Sequence, residues 1–213
     1  MAIDKTPDLI VSDILMSQKS GIELCKEMKS NIRTSHIPFI LLTARATVED
    51  QIIGIESGAD VYITKPFSVR FLLTHVRNLI DSRQKLYSHF SQDVYLMPSK
   101  VASNEIDQAF LQRAVDYIVE HIQDAQLGVD SIAELFNLSR VQVYRKIKAL
   151  TGKTAVEFIR TVRLKQALKL METKQHTLSE VAYLTGFNSA SYFTRSFKEE
   201  YGKAPSEYLG LAS

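Results

Sequence analysis

The sequence predicts an α/β unit followed by an all-α unit, on three observations. Apolar strand-like runs alternate with helical patterns over the first 70 residues. The pattern then loosens between Asp81 and Gln108. Beyond that, one helical pattern occurs twice. Strands alternating with helices imply a parallel sheet built from right-handed crossovers. A repeated short helix, tight turn and longer helix implies stacked helical units. The expected division is residues 1–90, a linker at 91–106, and residues 107–213.

The strand candidates are "DLIVSD" (8–13), "PFILLTA" (38–44) and "VYITKP" (61–66). Between them, "GIELCKEMKSN" carries Ile22, Cys25 and Met28 at helical spacing, and "TVEDQIIGIESGA" carries Ile52 and Ile55. A third helix follows with Phe71, Leu72, His75, Val76, Leu79 and Ile80 on one face. In sheets of this kind chemistry takes place beyond the carboxyl ends of the strands. Asp13, Thr43 and Lys65 all fall at those ends. A carboxylate, a hydroxyl and an ammonium gathered there suit covalent phosphate chemistry. The carboxylate can serve as nucleophile, and the other two groups can hold the phosphoryl oxygens. Pro66 disfavours helical geometry at Lys65, and a cis bond between them is an option for directing the lysine.

The motifs "PDLIVSDILM", "SGIELCKEMK", "HIPFILLTA" and "GADVYITKPF" resemble the receiver domain of bacterial response regulators. The resemblance implies a partial flavodoxin-like, doubly wound parallel sheet whose first two strands are absent. It makes Asp13 the phosphoacceptor, Thr43 the switch hydroxyl, Lys65 the phosphate-pairing lysine and Tyr62 the switch aromatic. It also implies Mg²⁺, but the acidic pair that holds the metal in that family is missing here. Asp13 and the Leu15 carbonyl are what remain of the site, and Mg²⁺ bound by a protein usually takes more than one carboxylate. Ser17 replaces the family's usual proline, and Ser20 a frequent aspartate. Without the first strand "LIV" becomes an open apolar edge, and the helix from Ser68 loses a packing partner. Either the chain is a piece of a longer protein, the preferred explanation, or dimerisation covers that surface. Dehalogenase-like phosphatases also use Asp, Thr/Ser and Lys, but they need a second carboxylate where Leu15 stands.

"SRQKLYSHFSQ" extends the third helix, and Pro98 marks the domain boundary. The repeat pairs "IAELFNLSRVQVYRKIKALTGKTA" (132–155) with "VAYLTGFNSASYFTRSFKEEYGKAP" (181–205). Ala133 matches Ala182, and Leu138 matches Phe187. After one inserted residue Arg145, Lys148 and Gly152 match Arg195, Lys198 and Gly202. Ser139 and either Asn188 or Ser189 are N-cap candidates for the longer helices. Each unit reads as a helix-turn-helix, whose second helix fits the DNA major groove. "AVEFIRTVRLKQALKLMETK" (155–174) joins the units as one helix with Leu164, Ala167, Leu168 and Met171 in a stripe. "AFLQRAVDYIVEHI" ahead of the repeat is a packing helix.

This half resembles the AraC/XylS family of transcription regulators, above all in "GFNSASYFTRSFKEEYGKAPSEY". By position, the resemblance assigns DNA contacts to Arg140, Val141, Tyr144 and Arg145 in the first unit and Ala190, Ser191 and Arg195 in the second. Lys146, Lys148, Lys198 and Lys203 are read as phosphate contacts or surface charges. Val143, Ile147, Tyr192, Phe193 and Phe197 are read as core, and Arg163 as a buried pairing residue.

Charge agrees with a polyanion partner. The 213-residue chain has net charge +2, yet Ser139 to Lys203 holds thirteen Lys/Arg against five Asp/Glu, an excess of eight. The 45% hydrophobic and 23% charged content is that of a globular protein. No membrane-length apolar run or secretory leader is present, so a cytoplasmic location without membrane contact is expected. One cysteine, Cys25, excludes an internal disulfide framework, and five scattered histidines give no metal spacing. The combined reading is a non-enzymatic, DNA-binding transcription regulator of a two-component phosphorelay. It resembles the C-terminal end of hybrid sensor kinases. The expected partners are double-stranded DNA, a second copy of the chain, and a histidine kinase or the kinase core of the same longer protein. The alternative is a phosphorylation-independent regulator whose incomplete receiver serves only as an interaction scaffold.

Overall fold

The computed structural model describes residues 7–44, 56–92 and 104–210. They form two compact units, the first reaching residue 86 and including 104–107, the second built on 108–210.

In the first unit β1 (Ile10–Asp13), β2 (Phe39–Thr43) and β3 (Val61–Thr64) make a parallel sheet in that order. Asp13 stands opposite Leu42, and Thr43 opposite Thr64. β2 is central and covered on both faces, which explains its unbroken apolar run. Its Phe39, Ile40 and Leu41 are fully buried, each contributing about 1.5–3 kcal/mol. Among the described residues β1 pairs with β2 alone, and Val11 is 41% exposed, so the open apolar edge is present. Helix α1 (Gly21–Ser30) leads from β1 to β2. Ser20 Oγ accepts from the Glu23 N–H (3.2 Å), and the Glu23 carboxylate accepts from the Ser20 N–H (3.0 Å). This capping box fixes where the helix starts. Cys25 and Met28 then reach the core beside Ile37, Phe39 and Leu41. Lys29 closes the far end, donating to Asp60 (2.7 Å) and to the Ile37 carbonyl (3.0 Å).

The expected helix around Ile52 and Ile55 lies largely outside the described residues, as does the boundary at Pro98. Helix α2 (Val69–Gln92) does run through "SRQKLYSHFSQ". Its Val69, Phe71, Leu73 and Ile80 are all about half exposed or more.

The second unit is all helical. Helix α3 (Glu105–Glu120) buries Phe110, Leu111, Ala114, Val115 and Ile118, the expected packing face. The first helix-turn-helix is α4 (Val129–Phe136) and α5 (Arg140–Thr151), joined through Asn137 in the left-handed region. The long helix α6 (Ala155–Glu172) follows. The second helix-turn-helix is α7 (Leu178–Leu184) and α8 (Ala190–Tyr201), with Gly186 at φ 77° in the turn and a short α9 (Pro205–Tyr208) after it. α6 packs on α5 of the first helix-turn-helix and on α7 and α8 of the second. Its stripe of Leu164, Ala167, Leu168 and Met171 meets Val181, Ala182, Phe187, Phe193 and Phe197 in one core. Ala133 and Ala182 are buried at equivalent places, which allows close helix approach in both repeats.

Candidate phosphoacceptor cluster and nucleic-acid interface

The parallel register brings three strand ends level. Asp13 closes β1, Thr43 closes β2, and Lys65 follows Thr64 at the end of β3, its N–H donating to the Thr43 carbonyl (2.6 Å). The Lys65 ammonium donates to Asp13 Oδ2, and the Leu15 N–H donates to Asp13 Oδ1 (3.1 Å). These bonds, that of Lys65 first, hold the Asp13 carboxyl below the usual carboxylate range. An ionised carboxylate open to solvent is the form a nucleophile needs. The Lys65–Pro66 peptide is cis. Thr43 is buried at the neighbouring strand end. Tyr62 lies further back, opposite Leu41, and packs on the Phe39 and Leu41 core. Its hydroxyl is buried with no hydrogen-bond partner among the described residues. The structure therefore joins Asp13 directly to Lys65, sets Thr43 beside them, and places Tyr62 behind the cluster. Leu15 points outward, 71% exposed, and contributes its backbone alone.

The two longer helices of the repeat begin alike. Ser139 Oγ accepts from the Gln142 N–H (3.2 Å), with Gln142 reaching back to the Ser139 N–H (2.9 Å). Ser189, not Asn188, caps the second, accepting from the Tyr192 N–H (3.2 Å). These caps set the faces that follow. Arg140, Val141, Tyr144 and Arg145 are exposed on α5, and Ser191 and Arg195 on α8, with Ala190 half-buried at the start of that helix. Arg140 pairs with Asp130 (3.0 Å), both exposed. The Arg195 guanidinium lies over the Tyr192 ring (5.4 Å).

Two residues differ from the sequence reading. Lys146 is 1% exposed, with its ammonium 5.1 Å from the centre of the Phe110 ring, so it faces the core and not a phosphate. Tyr192 is 39% exposed, because the third residue of α8 stands beside Arg195 on the outer face of the helix rather than under it. Arg163 is half-buried and donates to the Asp124 carbonyl (2.7 Å), the pairing role expected of it.

Residues 1–77 match the response regulator receiver domain family, and residues 132–210 match a helix-turn-helix domain family. The chain carries a response-regulator receiver segment followed by an AraC-type helix-turn-helix domain. Among curated relatives it is 36% identical over 208 residues to Histidine kinase P4 of Formosa agariphila, across 98% of this chain and 15% of that protein. The receiver segment is 44% identical over 78 residues to the phosphate regulon regulator PhoB of Pseudomonas aeruginosa, 37% of this chain and 34% of that one. The chain thus spans at most about a third of the length of these relatives. Among solved structures, the C-terminal domain of AraT, a response regulator from Geobacillus stearothermophilus, is 28% identical, with TM-score 0.44, over 48% of this chain and 85% of that one.

Receivers of this family normally use Mg²⁺. Here no group of three His, Cys, Asp or Glu side chains gathers among the described residues, and Asp13 has a lysine for its nearest charged neighbour. That donor set, among the described residues, does not fit an octahedral Mg²⁺ site. No helix among the described residues is long and apolar enough to cross a membrane.

Sequence reasoning missed two things. A Cβ on Gly21 would collide with the carbonyl oxygen of Asp13, so α1 approaches the end of β1 as closely as glycine permits. The Ser-Gly pair before the helical pattern was the available signal. In the helix-turn-helix domain, Lys153, Thr161 and Glu200 meet in one polar contact. Residues 47 positions apart leave no local pattern to find.

Proposed function

We propose that this chain is a sequence-specific DNA-binding transcription regulator controlled by phosphorylation of Asp13 within a two-component phosphorelay. The observation that carries the control is the Asp13–Lys65 pair at the carboxyl end of the sheet. The phosphoryl donor is a phosphohistidine on a histidine kinase, or on a kinase segment of the same longer polypeptide. An Asp13 oxygen attacks phosphorus, the P–N bond breaks, and the imidazole leaves with the bonding pair. The product is an acyl phosphate. Lys65 then pairs with a phosphoryl oxygen in place of the free carboxylate, and Thr43 turns its hydroxyl toward another. Movement of Thr43 leaves room for Tyr62, whose hydroxyl gives up no hydrogen bond among the described residues when the ring moves. The change alters dimerisation or frees the DNA-binding domain.

On DNA, α5 and α8 enter successive major grooves. Arg140 and Arg145, and Arg195 in the second unit, read base edges together with Tyr144 and Ser191. Val141 and Ala190 offer apolar contact of the kind a thymine methyl accepts. No catalytic activity is assigned to the chain.

The poor fit of the donor set to Mg²⁺ favours a second reading, in which the receiver segment is a phosphorylation-independent scaffold. Intact mass after incubation with acetyl phosphate and Mg²⁺ separates the two. One phosphoryl adduct, lost in Asp13→Ala, supports the first, and its absence from the parent chain leaves the scaffold. Duplex binding is tested separately by its salt dependence, since each neutralised phosphate releases counterions. Binding that is absent or indifferent to salt would sink the DNA-binding reading.

A further inference from the structure

We infer that Glu200 is a positioning residue for DNA recognition: it fixes α8 relative to α5 and so sets the spacing between base-reading segments that the domain accepts. The inference rests on the DNA-binding reading and adds a determinant to it. Glu200 is the penultimate residue of α8. Lys153 directly follows Gly152, the left-handed C-cap of α5. The Lys153 ammonium donates to both carboxylate oxygens of Glu200, at 2.9 and 3.2 Å. Thr161 of α6, itself 1% exposed, donates to the same carboxylate at 3.4 Å. One carboxylate thus joins the end of the first recognition helix, the connecting helix and the second recognition helix. Its neighbour Glu199 accepts from Arg160 of α6 at 3.2 Å.

Position and burial set this contact apart from an ordinary surface pair. The Lys153 and Glu200 side chains are only 16% and 11% exposed, so solvent competes weakly for either charge. The other contacts between α6 and the second helix-turn-helix are the apolar core around Leu164, Leu168 and Phe197, the more exposed Arg160–Glu199 pair and the approach of Gly186 to Arg163. Hydrophobic attraction has no direction and tolerates small rotations. A two-pronged, partly desolvated ion pair does have direction. It therefore restrains the angle that the apolar core leaves free. Adding one base pair between two reading segments moves the second by about 3.4 Å along the duplex and about 35° around it. A domain held at one angle registers that change as a lost contact.

The test begins by selecting duplexes from a random-core pool with the 213-residue chain. The selected duplex is then remade with one base pair inserted or deleted between its two conserved segments, and each Kd is measured. The parent is expected to lose at least about tenfold on either change, comparable to a mismatched base pair. Glu200→Gln is expected to lose less than about threefold, while a base change inside either segment costs it as much as the parent, about the usual mismatch penalty. Lys153→Gln, the milder change, serves the same purpose if Glu200→Gln does not fold. The exchange of Lys153→Glu with Glu200→Lys is expected to restore the parental penalty. Spacing profiles that coincide in parent and folded variant overturn the inference. A parent chain that enriches no duplex removes the DNA-binding reading and this inference with it, a result distinct from unchanged spacing.

Discussion

Gly186 lies against the guanidinium of Arg163, so that a Cβ built on Gly186 would stand 2.9 Å from Arg163 Cζ and collide with the carbonyl oxygen of Ile122. Arg163 is held there by the Asp124 carbonyl. The turn of the second helix-turn-helix is thus seated on the loop after α3 with no room for a side chain. Gly186 also has φ 77°, which L side chains rarely adopt. Gly186→Ala is expected to destabilise the domain by about 2–5 kcal/mol, combining left-handed strain with overpacking. Gly202 has the same φ, yet nothing lies within 4 Å of its Cβ position. Gly202→Ala is expected to cost only the strain, about 1–2 kcal/mol. Urea unfolding of both variants checks the difference.

The Asp13 carboxyl titrates low because Lys65 and the Leu15 N–H hydrogen-bond to its ionised form. Lys65→Met is expected to raise its midpoint toward the ordinary value of about 3.9, read by carboxylate NMR. A depressed folded pKa adds stability that is present above the unfolded value and lost as pH falls through the folded one. The stability gap between parent and variant is therefore present at neutral pH and closes in acid. The gap is small, since both side chains are a third or more exposed.

Helix α6 begins with a second acid-sensitive device. The Glu157 carboxylate accepts from the Thr154 N–H (2.6 Å), and Thr154 Oγ1 accepts from the Glu157 N–H (3.2 Å). The bonds from Thr154 hold the Glu157 carboxyl below its usual range. Glu157→Gln is expected to be less stable than the parent at pH 7 and equal to it once the pH is below the folded pKa, where the parent's carboxyl is also neutral. Thr154→Ala is expected to cost about 1 kcal/mol at pH 7. Thermal melts at neutral and acid pH give both results.

On DNA the basic residues are expected to divide by burial. Arg145→Ala and Arg195→Ala should each cost about 1–3 kcal/mol on the selected duplex and relax the base preference at one position. Lys198→Ala should reduce the salt slope by about one and leave preference intact. Lys146→Met should leave the salt slope unchanged, because that ammonium lies over Phe110 inside the domain. Fluorescence anisotropy across a salt series checks all four.

Local pattern carried most of the fold. The unbroken "FILLT" of β2 and the apolar spacing of Cys25 and Met28 follow from burial alone, and burial leaves periodic traces. The repeat was legible for the same reason, since Ala133 and Ala182 do one packing task twice. The strand-end position of Asp13, Thr43 and Lys65 was legible because a parallel sheet collects its strand ends on one side. The side on which a given charge falls was not. Lys146 and Arg145 are adjacent basic residues, yet a step of about 100° around α5 sends one into the core and leaves the other in solvent.

By itself, then, the sequence determined the described strands and helices, their order, the polar residues at the strand ends and the doubled helix-turn-helix. Each depends on neighbours a few residues apart and is written in spacing. Tertiary structure alone decided that the Lys65 ammonium bonds the Asp13 carboxylate directly, why Gly21 and Gly186 can carry no side chain, and that Glu200 meets Lys153 and Thr161. Those contacts join residues 39 to 52 positions apart or depend on a backbone passing close by. Such proximity is produced by packing, and packing leaves no period in the chain from which it can be read.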